Sequence, residues 1–204
     1  MQIKTLPLGP LETNCYLLSR GKEAVVVDPG GDPAPILAWL KEGGLTLTHI
    51  LNTHLHLDHT YGNAALAAAT GVSIQAGEGE KLICETQLVR GGLFDLPPVD
   101  DYRWEAIAPG EYEMLGKTCE VRSTPGHSPG SLTFYFPDAA SAFVGDLVFQ
   151  GSVGRTDFPG SSHAQLIQSI ETQILTLPDE TVLFPGHGPS TTVKRERKSN
   201  PYLF

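Results

Sequence analysis

Residues 13–19 and 24–27 are short, largely apolar runs separated by Arg20-Gly21-Lys22, and Asp28-Pro29-Gly30-Gly31 breaks off the second. This spacing predicts two strands joined by a tight turn, so the chain opens with an antiparallel β unit. Over residues 33–41 the period changes to that of a helix: Ile36, Leu37 and Leu40 fall on one face, Asp32 is placed to cap the start, and Gly43-Gly44 ends it. A strand over residues 47–53 follows, then an Ala-rich helix over residues 63–70 closed by Gly71. Residues 90–110, with Gly91-Gly92, Pro97-Pro98 and Asp100-Asp101, show little periodicity and read as a long loop of the kind that walls substrate sites. Strands return over residues 118–124, 131–136 and 142–145, followed by a helix over 163–176 and a last strand over 181–184.

The pattern thus runs twice through β-meander followed by αβ units, without a fixed-period repeat. Each half has one sheet face to bury against the other and one to cover with helices. The expected fold is a mixed α/β (α+β) four-layer αβ/βα sandwich. At 204 residues the chain is long enough for a sizeable core, and one domain over residues 1–204 is expected.

Charge and cysteine content narrow the function. A net charge of -9 disfavours polyanion binding, which depends on Lys and Arg neutralising phosphates, so nucleic acid is not the expected partner. Residues 1–7 lack the apolar region of a signal peptide, and no stretch approaches the roughly 20 apolar residues of a membrane span. A cytoplasmic protein without a membrane partner is expected. Cys15, Cys84 and Cys119 are odd in number and far apart, and read as buried small hydrophobes instead of disulfides or metal ligands.

The chemistry concentrates in Thr53-His54-Leu55-His56-Leu57-Asp58-His59. At a strand end, His54 and His56 share one face through the two-residue period, and the following turn can bring Asp58 and His59 back toward them. Three further polar residues follow predicted strands: His127 in Thr124-Pro125-Gly126-His127, Asp146 after Gly145, and His187 in Pro185-Gly186-His187-Gly188. Neighbouring Gly and Pro suit a loop that turns sharply and presents one side chain to a shared point. Asp28 ends its strand in the same way and is a candidate acceptor for the second ring N–H of a ligand histidine. His49, inside a strand, reads as a packed residue, and His163, at a helix start, as a surface or capping one.

On these residues the chain resembles the metallo-β-lactamase superfamily, and within it the glyoxalase II group of hydroxyacylglutathione hydrolases, over nearly its whole length. The resemblance implies a first metal on His54, His56 and His127, a second on Asp58, His59 and His187, and Asp146 bridging both. Two divalent ions are implied, zinc first, iron or manganese next, as imidazole and carboxylate donors suit all three. A hydroxide between two such ions would attack an acyl carbonyl near neutral pH, with Asp58 also able to hydrogen-bond it. The implied substrate is a small thioester, S-D-lactoylglutathione or a related hydroxyacyl-glutathione.

Glyoxalase II enzymes of full length carry a C-terminal helical domain, whereas here residues 188–204 follow the last ligand, as in compact bacterial relatives of that group. Lys194, Arg197 and Lys198 in this tail are expected to meet glutathione carboxylates. Arg155 matches the family's basic position for the glutathione backbone, but Asp157 stands where an aromatic is usual, and Pro189 replaces a tyrosine. The segment Gly154-Arg155-Thr156-Asp157-Phe158 also looks like that of persulfide dioxygenases, whose single iron would here sit on His54, His127 and Asp146. Pro159-Gly160, where those enzymes have Gln after the Phe, sides with the hydrolases. Lactonase or other esterase chemistry is a further alternative, because metal ligands alone do not choose the electrophile.

Overall fold

The computed structural model describes the chain except Leu93, Phe94, Asp95 and Phe204. Six strands form the first sheet in chain order: β1 (Gln2–Leu8), β2 (Thr13–Arg20), β3 (Glu23–Val27), β4 (Thr46–Leu51), β5 (Ile74–Ala76) and β6 (Trp104–Ala106). The second half supplies β7 (Gly110–Met114), β8 (Lys117–Ser123), β9 (Leu132–Phe136) and β10 (Ser141–Gly145). After a small ribbon of β11 (Val148–Phe149) and β12 (Ser152–Val153), it adds β13 (Val182–Pro185) and β14 (Thr191–Thr192), giving the order β14-β13-β10-β9-β8-β7. The helices are α1 (Ala34–Gly43), α2 (Leu57–Thr60), α3 (Asn63–Thr70), α4 (Gln87–Arg90), α5 (His163–Ser169) and α6 (Val193–Ser199).

Strand alternation assigns the layers. Tyr16, Leu18, Val25 and Val27 point from the first sheet into a core shared with Val121, Phe134, Phe136 and Phe143 of the second. Their immediate neighbours Cys15, Leu17, Ala24 and Val26 point the other way, onto Ile36 and Leu40 of α1 and Leu66 of α3. On the far side, Tyr135, Ala142 and Val144 pack on Leu166 of α5 and Val193 of α6. The result is the expected four-layer sandwich. Central strands buried on both faces are why β2, β3 and β10 read as largely apolar runs. Phe134, Phe136 and Phe143 are almost wholly shut off from water, each burial contributing about 1.5–3 kcal/mol.

The differences from expectation lie at ends and edges. Helix α1 starts at Ala34 with Pro33 in the cap position, yet the Asp32 carboxylate still accepts the Ala34 N–H at 2.9 Å. Gly44 closes that helix in the left-handed conformation, at φ 55°. Ser162, not His163, caps α5, which continues as a π-helical turn over Ile170–Ile174. The stretch over residues 90–110 contains β6, paired in parallel with β5, and Leu93, Phe94 and Asp95 within it lie outside the described residues. Cys15 and Cys119 are buried, but Cys84 is half-exposed, with its thiol directed at the Lys81 carbonyl. Among the described residues no helix is long and apolar enough to cross a membrane.

Candidate metal centre

Parallel pairing of β3 with β4 and of β10 with β13 places the C-terminal ends of these strands at common sheet edges. Asp28 follows β3, His54 and His56 follow β4, His127 follows β8, Asp146 follows β10, and His187 follows β13; Asp58 and His59 stand on α2. Backbone bonds join the two edges directly. Asn14 N–H donates to the Gly186 carbonyl at 2.7 Å, and Leu132 N–H to that of Thr53 at 2.7 Å.

All seven residues converge. Donor atoms of His54, His56 and His127, of Asp58, His59 and His187, and of His54, His59 and Asp146 lie within 4.8 Å of one another in each set. Asp146 spans the sets: Oδ1 is 3.4 Å from His59 Nε2, while Oδ2 is 3.7 Å from His127 Nε2 and 3.6 Å from His187 Nε2. Asp58 Oδ2 lies 3.1 Å from His187 Nε2 and accepts from the Thr13 hydroxyl at 2.8 Å.

Hydrogen bonding behind the rings assigns their protons. Asp28 can only accept, so His59 carries its proton on Nδ1, 3.0 Å from Asp28 Oδ2. Thr53 donates its hydroxyl to the same carboxylate at 2.7 Å, which leaves its oxygen to accept from His54 Nδ1 at 3.1 Å. His127 Nδ1 donates to the Arg155 carbonyl at 2.8 Å. The Nε2 atoms of His54, His59 and His127 therefore face inward. Those of His54 and His59 are buried without a partner, as is Asp146 Oδ1. His127 Nε2 meets His56 Nδ1 at 2.9 Å. That separation is a hydrogen-bond distance, somewhat shorter than the roughly 3.3 Å between neighbouring donors on a tetrahedral zinc with Zn–N bonds of about 2.0–2.1 Å, so a cation shared by the two rings would part them slightly. The donor set fits a pair of divalent ions.

Electrostatics prepare the same state. Burial, reinforced by neighbouring imidazoles, pushes His54 well below the ordinary histidine range and His56 down to about 3, so both rings are neutral ligands at pH 7. Burial alone would raise Asp146, but the His59 ring, joined by His127 and His187, outweighs it and holds the carboxyl down to about 2. Asp58 is likewise lowered by His59 and His187 against the opposing effect of burial. For His59 burial is again overcome, here by Asp58, Asp28 and Asp146, which raise it well above the usual value. A cation arriving there would displace that proton.

A cavity of about 560 Å³ opens onto the group. Its walls include Leu11, Leu57, Leu88, Phe149, Val153 and Phe158; beyond the metal-facing residues, Ser152 and Arg155 are its polar members among the described residues. Arg155 sits 4.5 Å above the Phe158 ring and forks onto Asp157 at 3.0 and 2.8 Å. Asp157 thus steadies the arginine where the family has an aromatic. The basic tail is not part of this wall. Lys194, Arg197 and Lys198 lie on α6, and Arg197 is engaged by the Asp179 carboxylate and by the Leu175 and Leu177 carbonyls. What the tail brings instead is Glu196, which accepts the Gly151 N–H at 2.9 Å, and Asn200, which donates to the Ser152 carbonyl at 3.0 Å. These two hold the β11–β12 turn that walls the cavity. Neither they nor Thr13 and Thr53 stand out in the sequence, since their partners are fixed by tertiary contact. His49 is half-buried and His163 exposed, as read.

Two sheets face to face under outer helices, with bare imidazole nitrogens gathered at their strand ends, define a metal-dependent hydrolase class. The sequence profile of the metallo-β-lactamase superfamily matches residues 8–187, and the chain belongs to that superfamily. It is 36% identical to the hydroxyacylglutathione hydrolase GloC of Haemophilus influenzae over 208 aligned residues, covering 100% of this chain and 98% of the relative. Among solved structures, the BLEG-1 B3 metallo-β-lactamase superposes with a TM-score of 0.92 at 37% identity, over 99% of each chain. TTHA1623, solved in a di-iron-bound form, gives 0.88 at 37% identity, over 98% of this chain and 100% of that one.

Proposed function

We propose that this chain hydrolyses thioesters, with S-D-lactoylglutathione or a related hydroxyacyl-glutathione as substrate, at two divalent ions for which zinc is the first candidate. One ion would be held by His54, His56 and His127, the other by Asp58, His59 and His187, with Asp146 shared. The observation that carries this reading is the convergence of seven donor residues, among them His54 and His59, whose inward Nε2 atoms are buried without a protein partner. A single iron on His54, His127 and Asp146 would leave Asp58, His59 and His187 without a task, which disfavours the persulfide dioxygenase reading. Likeness to the Haemophilus hydroxyacylglutathione hydrolase supports the substrate class.

Ions bound there would supply Lewis acidity and a water acidic enough to attack a carbonyl near neutral pH. The chain's own residues do the rest. Asp28 and Thr53 keep His59 and His54 turned inward, and Asp58, fixed by Thr13, offers its carboxylate to the attacking water. The apolar wall lowers the polarity around the reacting carbonyl. Beyond the metal-facing set, Ser152 and Arg155 are the polar groups of the wall among the described residues, and neither is an acid that would protonate a poor leaving group. A thiolate needs none, because its parent thiol has a pKa near ~8.5.

Steady-state hydrolysis of S-lactoylglutathione by protein loaded with zinc, manganese or iron should be metal-dependent and abolished by a chelator. Absence of turnover in every loaded form would overturn the substrate assignment. Arg155 stands exposed at the cavity rim, already paired with Asp157, so Arg155→Ala should raise KM about fivefold with kcat little changed. A kcat loss as large as the KM change would place the guanidinium at the reacting centre instead.

A further inference from the structure

Glu80 is a wholly buried carboxylate outside the metal-facing set. It lies in the short 3-10 turn Glu78–Leu82 that follows β5. Oε2 accepts the Leu55 N–H at 2.8 Å, while Oε1 accepts the Ser128 hydroxyl at 2.6 Å and the Gly130 N–H at 2.8 Å. All three donors are uncharged, so burial pushes the Glu80 carboxyl above its usual range. A buried acid without a cation is costly, and would be replaced readily if it only filled space. Its donors explain its presence. Leu55 stands between His54 and His56, and Ser128 is the residue after His127. Only a carboxylate, with two acceptor oxygens and no donor, satisfies three converging hydrogens from two loops. The turn is packed tightly for this contact: a Cβ on Gly77 would lie 2.0 Å from the Gly130 carbonyl oxygen, and one on Gly130 would lie 2.3 Å from Glu80 N.

The second set is fixed by other groups, Asp28 behind His59 and Thr13 behind Asp58. We propose that Glu80 is the positioning residue of the three-imidazole set His54, His56 and His127 alone, stapling the loop after β4 to the loop after β8 so that one metal position depends on it and the other does not. This inference rests on the two-ion reading above. Glu80→Gln keeps the shape but turns an amide NH2 against one of the donors, so it removes the staple without opening a cavity.

The test is zinc affinity, measured by chelator competition, with total zinc per chain by mass spectrometry and folding checked by circular dichroism. In a His187→Ala background the remaining ion reports the three-imidazole position, and adding Glu80→Gln should weaken it by about 10–100-fold, the usual range for partners behind metal ligands. In a His127→Ala background the remaining ion reports the other position, and the same substitution should change its affinity less than about threefold by the same measure. Equal losses in both backgrounds, or none in either, would overturn the proposal. Should Glu80→Gln fail to fold, Ser128→Ala, which removes one donor only, should lower affinity in the His187→Ala background alone; an unchanged value there would overturn it equally. A parent chain holding one zinc would overturn the two-ion reading itself, whereas two zincs in the parent and an indifferent Glu80→Gln would overturn this inference alone.

Discussion

Asp146→Ala should lower thioester turnover by roughly three or more orders of magnitude and leave the protein with less bound metal than its parent. Asp146 reaches both donor sets, with one oxygen facing His59 and the other lying between His127 and His187. Its loss removes one of the two carboxylates in the metal-facing group, and no neighbouring side chain can span the same gap. Asp146→Asn separates charge from shape: it preserves the outline, and should recover bound metal only in part. Total metal per chain and kcat for each variant decide the matter. Unchanged turnover in a metal-depleted Asp146→Ala protein would sink the two-ion mechanism.

Gly186→Ala should be nearly as damaging, although it adds a single methyl group. A Cβ on Gly186 would fall 2.1 Å from Asp146 Oδ1 and 2.6 Å from His59 Cε1, inside the donor group itself. The backbone cannot retreat, because Gly186 N–H is bonded to the Gly145 carbonyl at 2.9 Å and its own carbonyl accepts from Asn14 at 2.7 Å. Activity should fall at least about a hundredfold, a displacement of roughly 1 Å being enough for that at a catalytic centre. Gly188→Ala is the control. That glycine has φ 71° and nothing within 4 Å of its missing Cβ, so substitution there costs only about 1 kcal/mol of backbone strain. Comparable activity in the two variants would show that the space beside Asp146 is not needed.

The sandwich was legible because its central strands are long apolar runs, and the donors were legible because rare residue types stand beside Gly and Pro at strand ends. The loop read over residues 90–110 hid β6, since three residues paired to one neighbour leave no measurable period. β1 escaped because it is mostly exposed, with a burial pattern that gives little alternation, and Pro7 lies within it. Helix α6 has one strongly apolar residue, Val193, and reads from sequence as a charged tail. On the substrate side, Arg197 of the expected basic set is engaged by Asp179 and two carbonyls, which its sequence position did not reveal because a cation carries no record of the acceptors it will meet. Glu80 and Glu196 were invisible for the converse reason: a buried acid differs from a surface acid only through donors brought from 25 to 50 residues away.

Each donor set draws on both halves of the chain: His54 and His56 with His127, and Asp58 and His59 with His187. Neither sheet on its own can bind an ion in the way the folded chain can. Metal affinity is therefore also the strength of a clasp across the seam between the sheets, and every decade of excess metal over its dissociation constant adds about 1.4 kcal/mol against their separation. Because the seam closes contacts as distant in sequence as Asn14 and Gly186, the Asp58, His59 and His187 set is complete only after the last strands have docked. A chain truncated before β13 would lack His187 and so keep only the half of the clasp that His54, His56 and His127 form.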